Sequence, residues 1–251
     1  MRASRAALVA LLAVTLAGCS GTATPLATPS SFDLGAVALD DLDRNGLEYL
    51  AGADALEQVL SAARTAGTVT VTGTYDELLP PPEGEREPVP GLAISIDWSG
   101  DSGDFLASVT AGELAGDIRA SGSTAVARGN AAFSDAHGIA VSDEWACLDG
   151  GASALEQWEP LLDPIDLIET LLEAREGSEI VVSTGAVVND TIELAISSGS
   201  GAIGTLVVSA LGPPLPVTLI GGDASGTGTF AFDDWGAATD LEPVESLARC
   251  D

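Results

Sequence analysis

From Thr68 onward, apolar and polar residues alternate over one short segment after another, and each segment stops at a cluster of glycine or aspartate. In Thr68-Val69-Thr70-Val71-Thr72 the valines point one way and the threonines the other. Leu92, Ile94, Ile96 and Trp98 alternate in the same manner with Ala93, Ser95 and Asp97. A side-chain period of two belongs to a strand with one buried face. The pattern recurs at Phe105 to Val109, Leu114 to Ala120, Thr124 to Arg128, Ile192 to Ile196, Leu206 to Leu211, Val217 to Ile220 and Thr229 to Phe232. Turn clusters at Gly100 to Gly103, Gly199 to Gly201 and Gly221 to Gly226 keep the connections short, which predicts an antiparallel meander.

Two segments break this period. Leu56, Val59, Leu60 and Ala63 form one helical face, with Asp54 and Glu57 spaced as a capping box and Gly67 as the stop. Asp163-Pro164 suits a helix start, and Ile165, Ile168, Leu171 and Leu172 recur at helical spacing behind it. Leu155, Trp158, Leu161 and Leu162 add an apolar turn or short helix just before. A one-sided sheet must cover its apolar face, and these segments are the available cover, so the class is α+β. Frequent glycine and alanine inside the strands let such a sheet bend sharply.

The amino terminus carries a different signal. Arg2 and Arg5 precede an apolar run from Ala6 to Ala17, which is 12 residues long, whereas a bilayer-spanning helix needs roughly 20. This is the pattern of a signal-peptide core. Leu16-Ala17-Gly18-Cys19 resembles the lipobox of bacterial lipoproteins. That resemblance implies a signal peptide at 1–18, acylation of Cys19 and a mature chain anchored on the extracytoplasmic face of the cell membrane. Palmitate-class acyl chains contribute about 0.8 kcal/mol per buried methylene, and two or more hold a protein stably. Residues 19–46 then read as a lipidated flexible tether, rich in Ser, Thr, Ala, Gly and Pro up to Ser31, and 47–251 as a single domain. Losing Arg2 and Arg5 takes the formal charge from −29 to −31, with no lysine anywhere. Such a chain is repelled by nucleic acid and by anionic headgroups. With Cys19 assigned to lipid, Cys147 and Cys250 remain as an even pair in an oxidising compartment. A disulfide is the natural inference, and two unrelated buried thiols are the alternative.

Several phrases in order resemble the LppX/LprG-type envelope lipoproteins of actinobacteria, related in fold to the LolA and LolB carriers. They are the leading helix into Gly67-Thr68-Val69-Thr70-Val71-Thr72-Gly73, then Gly122-Ser123-Thr124-Ala125-Val126-Ala127-Arg128-Gly129-Asn130, and Glu144-Trp145. Gly212-Pro213-Pro214-Leu215-Pro216-Val217 and Phe230-Ala231-Phe232-Asp233-Asp234-Trp235-Gly236 complete the set. The resemblance spans about residues 50 to 245. It implies a strongly curved antiparallel sheet, a LolA-like half-barrel covered on its concave face by helices, with a hydrophobic cavity for acyl chains of a lipid or lipoglycan. The residues placed to line it are Val69, Val71, Leu92, Ile94, Ile96, Trp98, Ile192, Leu194, Ile196, Phe230 and Phe232. The competing reading is that they simply pack against the helices, leaving a structural or protein-interaction lipoprotein with a filled core. The chain departs from the family pattern in its proline-rich acidic excursion from Leu79 to Pro90, in its second and third cysteines, and in its acidity.

Catalytic and metal motifs are weak. Gly100-Asp101-Ser102-Gly103-Asp104 resembles a serine-protease nucleophile loop, but the sole histidine, His137, lies downstream, in an apparent exposed loop. A strand-to-strand turn is the simpler reading. Asp41-Leu42-Asp43-Arg44-Asn45-Gly46 starts like a calcium loop, yet Gly52 stands where the bidentate glutamate belongs, so a solvated turn is the simpler reading. One histidine leaves no zinc set. Asn189-Asp190-Thr191 is a formal glycosylation sequon, of no consequence in a bacterial host. The sequence thus predicts a non-enzymatic protein with no metal or cofactor. Cys19→Ser should abolish lipid attachment and release the protein from the membrane fraction; a variant still retained there would exclude this anchor.

Overall fold

The alternating segments assemble as one 11-stranded antiparallel sheet in the computed structural model of the chain. It describes residues 43–81, 87–140, 142–158, 161–172, 180–199, 201–223 and 226–250; Cys19 and the leader lie outside these. In chain order come helix α1 (Gly52–Ala66) and strands β1 (Val69–Leu79), β2 (Val89–Asp101), β3 (Asp104–Ala111), β4 (Leu114–Ser121) and β5 (Thr124–Gly129). Then follow helix α2 (Ala131–His137), β6 (Ser142–Cys147), a 3-10 helix (Gly151–Trp158) and helix α3 (Pro164–Leu172). Strands β7 (Val181–Val188), β8 (Thr191–Ser198), β9 (Gly201–Ser209), β10 (Pro216–Asp223) and β11 (Gly226–Asp233) and a single turn α4 (Val244–Leu247) complete the chain. The fold is mostly β, a sheet with four helices among the described residues.

The strand order is β6-β5-β4-β3-β2-β1-β11-β10-β9-β8-β7. Two meanders are therefore joined at the centre by their outermost members in sequence, β1 and β11, with Val71 opposite Phe232 and Gly73 opposite Phe230. β6 and β7 consequently lie at opposite edges, and the connection between them has to traverse the sheet. It does so over the apolar face, burying Leu148, Leu155, Leu162, Leu167 and Ile168. Asp163 starts α3 as expected, its Oδ1 accepting from the backbone N–H of Ile165 at 2.8 Å and Asp166 at 3.1 Å. Arg64 of α1 pairs with Glu169 of α3 and ties the two helices together. α1 lies against β7, α3 against β9 and β10, and α2 against β4 and β5.

Several local expectations are corrected. α1 begins two residues before Asp54, with Ala51 as N-cap and no side-chain cap, so Asp54 and Glu57 do not form a capping box. The start is fixed by packing: Gly52 lies so close to the Val182 carbonyl that a Cβ there would collide with it. His137 is not an exposed loop residue but the last residue of α2, half-buried, with its ring 4.4 Å from that of Phe133. Asn130 caps this helix by accepting from the Phe133 N–H at 2.9 Å. The β1–β2 ladder runs into the proline-rich excursion, pairing Leu78 with Pro90 and Leu79 with Val89 beyond a bulge. Gly100 to Asp104 is the expected turn, with Asp101 Oδ1 accepting from Gly103 N–H at 2.8 Å.

The opposite face of β4 to β6 carries a second, smaller layer. Register puts Arg119, Val126 and Cys147 on this face, alternating with the core residues Ile118, Ala125 and Ala127. The carboxy-terminal segment lies across it. Arg119, 3 % exposed, donates to the Glu242 carbonyl at 2.9 Å and pairs with Asp104 at 2.5 Å. Val244 and Val126 are both fully buried, and Cys147 is bonded to Cys250 across a sequence separation of 103. A loop of that length stabilises by up to about 4–5 kcal/mol in chain-entropy terms. Replacing both cysteines with serine should lower the urea unfolding free energy by an amount approaching that figure; an unchanged midpoint would show that the bond contributes nothing.

Candidate functional site

Pairing registers arrange the apolar face into cross-strand rows. One row reads Val109, Ile96, Gly73, Phe230, Leu219, Leu206, Leu194 and Thr184, from β3 through the centre to β7. On one side of it lie Ala107, Trp98, Val71 and Phe232. On the other lies a row with a gap in its side chains: Ala111, Ile94, Tyr75, then Gly228, Gly221 and Gly204, then Ile196 and Val182. Three adjacent strands thus present glycine at the same level.

Glycine in a strand interior weakens it unless something approaches the backbone closely. Here Phe230 explains part of the row. Its ring lies against Gly73 and Gly228, and a Cβ at either position would collide with ring carbons. Tyr75 lies likewise over Gly226. The Gly204–Gly221 pair is different: the backbones themselves approach, a Cβ on Gly204 falling 2.5 Å from the Ile220 carbonyl oxygen. Above that pair runs α3, whose Leu167 and Ile168 are buried. The result is a side-chain-free floor between Phe230 and Ile196, walled by aliphatic residues. A second glycine pair, Gly116 and Gly129, seats the Phe133 ring, with 2.6 Å between it and a Cβ at either glycine.

Of the residues the sequence places along this face, Val69, Val71, Ile96, Trp98, Ile192, Leu194, Ile196, Phe230 and Phe232 are buried, and Ile94 is half-buried. Leu92 is 45 % exposed, because it shares their parity but stands at the far end of β2, past the cover. The sequence did not single out Leu206, Leu219 and the glycine row as parts of this face. Their signal was the conjunction of Gly204, Gly221 and Gly228, which only the register brings into line. Trp98 stacks on Phe105 at 5.7 Å, and its buried Nε1–H finds no acceptor among the described residues.

Among the described residues, no carboxylate, arginine or histidine stands in these rows. Asp166 at the start of α3 has its carboxyl raised by burial and by Asp163, opposed by Arg64. Burial pushes the His137 imidazole down. Ser102 sits in the β2–β3 turn and His137 at the other end of the sheet, separated by the length of β3, roughly 25 Å at 3.3 Å per residue. They cannot form a nucleophile and base. Asn45 uses its side chain to join the chain to β9, donating to the Ser209 carbonyl at 2.8 Å and accepting from Leu47 N–H at 3.2 Å. Among the described residues no acidic or histidine cluster could hold a metal ion, and no helix is long and apolar enough to cross a membrane.

The chain is similar in structure to two mycobacterial lipoproteins. LprF from Mycobacterium bovis is 12% identical, with a TM-score of 0.43 over 77% of this chain and 99% of LprF. The lipoprotein LppX from Mycobacterium tuberculosis is 14% identical, with a TM-score of 0.41 over 74% of this chain and 96% of LppX. No family model and no curated protein matches the sequence.

The close seat of Phe230 on Gly73 has a measurable signature. Gly73→Ala should destabilise by about 1–3 kcal/mol through overpacking, and Phe230→Ala by about 3–5 kcal/mol. In the double variant the alanine at 73 should be nearly neutral, because the ring it strikes is gone. Additive losses in chemical denaturation would show that the two residues do not interact.

Proposed function

We propose that this protein is an envelope lipoprotein that holds acyl chains of a lipid or lipoglycan between its sheet and the helical cover. In this reading residues 1–18 are a cleaved signal peptide and 19–46 a tether. Acylated Cys19 fixes the mature chain to the extracytoplasmic face of the membrane, and the domain that follows curves as a half-barrel around its ligand.

The observation that carries the reading is the glycine floor. Gly204 and Gly221 present no side chain under α3, while Ile196, Leu206 and Leu219 beside them on that face are aliphatic and buried. A hydrocarbon chain matches such a surface in polarity, and ten buried methylenes would contribute roughly 8 kcal/mol. Close backbone approach at glycine also favours the sharp bending that a half-barrel needs. Trp98 Nε1–H supports the same reading: an orphaned buried donor costs about 1–3 kcal/mol, and an ester carbonyl would satisfy it.

A second reading has an observation of its own. Phe230 already occupies the space over Gly73 and Gly228, as it would in an interaction protein with a filled core. Native mass spectrometry of the mature chain carrying Cys19→Ser separates the two. Lipid adducts and saturable uptake of a fluorescent acyl probe are expected, with uptake reduced several-fold in Leu219→Trp, which fills the floor. Absence of both adducts and uptake would leave the filled-core reading standing.

A further inference from the structure

Trp98 is 1 % exposed on the apolar face, between Ala107 on β3 and Val71 on β1, and its indole Nε1–H has no acceptor among the described residues. Its surroundings explain why. The neighbouring core positions on β3 to β5 include the alanines Ala107, Ala120, Ala125 and Ala127, which offer only methyl groups. β2 is laddered on both sides, so its backbone carbonyls are engaged with β1 and β3. Phe105 stacks at an interplanar angle of 28°, so an N–H lying in the indole plane does not point into that ring. Trp235 shows the ordinary arrangement, its Nε1–H donating to the Pro216 carbonyl at 2.8 Å. Buried indole N–H groups usually find such a partner, and a phenylalanine at 98 would pack there without leaving a donor orphaned. A donor so placed fits an acceptor carried by a ligand.

If acyl chains lie on this face, as the lipid reading above holds, the Trp98 donor discriminates among them. A plain hydrocarbon leaves it orphaned. A free fatty acid brings an acceptor, but the acceptor is an anion, and no arginine or histidine stands in the rows of this face to pair with it. Burying an unpaired carboxylate costs far more than one hydrogen bond returns. The formal charge of −29 on the chain opposes an incoming anion further. A neutral ester carbonyl accepts from the indole with no charge to desolvate.

We propose that Trp98 is the specificity-determining residue of the apolar face, selecting a neutral acyl ester over both the free fatty acid and the bare hydrocarbon. The test is displacement of a pyrenyl-alkane probe, which has no carbonyl, from the mature chain carrying Cys19→Ser, by methyl laurate, laurate at pH 8 and tetradecane. Methyl laurate should compete at least tenfold more strongly than laurate and several-fold more strongly than tetradecane. Trp98→Phe, which keeps an aromatic ring and removes the N–H, should cut the advantage of ester over alkane to less than twofold and leave tetradecane unchanged. Thr184→Val removes the hydroxyl of Thr184, also buried without a partner, six strands away on the same face, and should leave that advantage intact. In the unsubstituted domain, methyl laurate but not tetradecane should move one indole N–H proton resonance downfield, a readout independent of how any variant folds. Laurate binding as tightly as methyl laurate, an ester advantage that survives Trp98→Phe or is lost in Thr184→Val, or no indole shift would overturn this proposal while leaving the lipid reading in place. Failure of the probe and all three compounds to bind would instead remove the lipid reading, and this proposal with it.

Discussion

Because β1 and β11 pair with each other, the two meanders grow outwards from the middle of the sheet and leave β6 and β7 at its two edges. A chain passing from one edge to the other can only cross a face, and the apolar face gains most from being crossed. The helical connection is thus both link and cover. Its buried leucines and isoleucines withdraw the rows of Val, Ile, Leu and Phe from water at roughly 25 cal/mol per Å² of apolar surface. Remove the β1–β11 pairing and the cover has no reason to lie where it does.

The opposite face shows how the acidic chain handles its far edge. Arg119 is one of few cations, and the fold spends it on binding the carboxy-terminal segment to β4 through a backbone carbonyl and Asp104. Val126, Val244 and the Cys147–Cys250 bond complete a small clamp that holds β6 against β5 from outside. The sheet is therefore fastened on both faces at that edge, by α2 and the 3-10 helix on one and by the terminal segment on the other. At the β7 edge, by contrast, Val181, Val188, Glu193 and Ala195 are exposed on the far face, and β7 carries a bulge between Thr184 and Val187.

Glycine has three distinct uses on this scaffold. At Gly73 and Gly228 it admits an aromatic ring, at Gly52 it lets a helix start against a strand carbonyl, and at Gly204 and Gly221 it lets two backbones close on one another. The first use fills space and the last leaves it. Phe230 and Ile196 stand on either side of the glycine pair, and both are buried.

The strands and their apolar faces were legible in the sequence because the period of two is local: Val69 and Val71, or Ile192, Leu194 and Ile196, declare their common side without reference to any other strand. The same holds for Asp163-Pro164 as a helix start. The lipobox signal at Cys19 is equally local and rests on sequence alone. Three kinds of feature were not legible. β6 and β7 lack a clean alternation, because one is short and the other is interrupted by its bulge. The start of α1 followed a contact with Val182 rather than the capping residues. The glycine row depends on which strands are neighbours, and residues 204, 221 and 228 become adjacent only through hydrogen-bonded register. Sequence by itself determined which residues seek burial and which way they point, since both follow from local periodicity. Tertiary structure alone decided what they are buried against and where side chains are missing, because strand order and close approach are properties of the whole sheet.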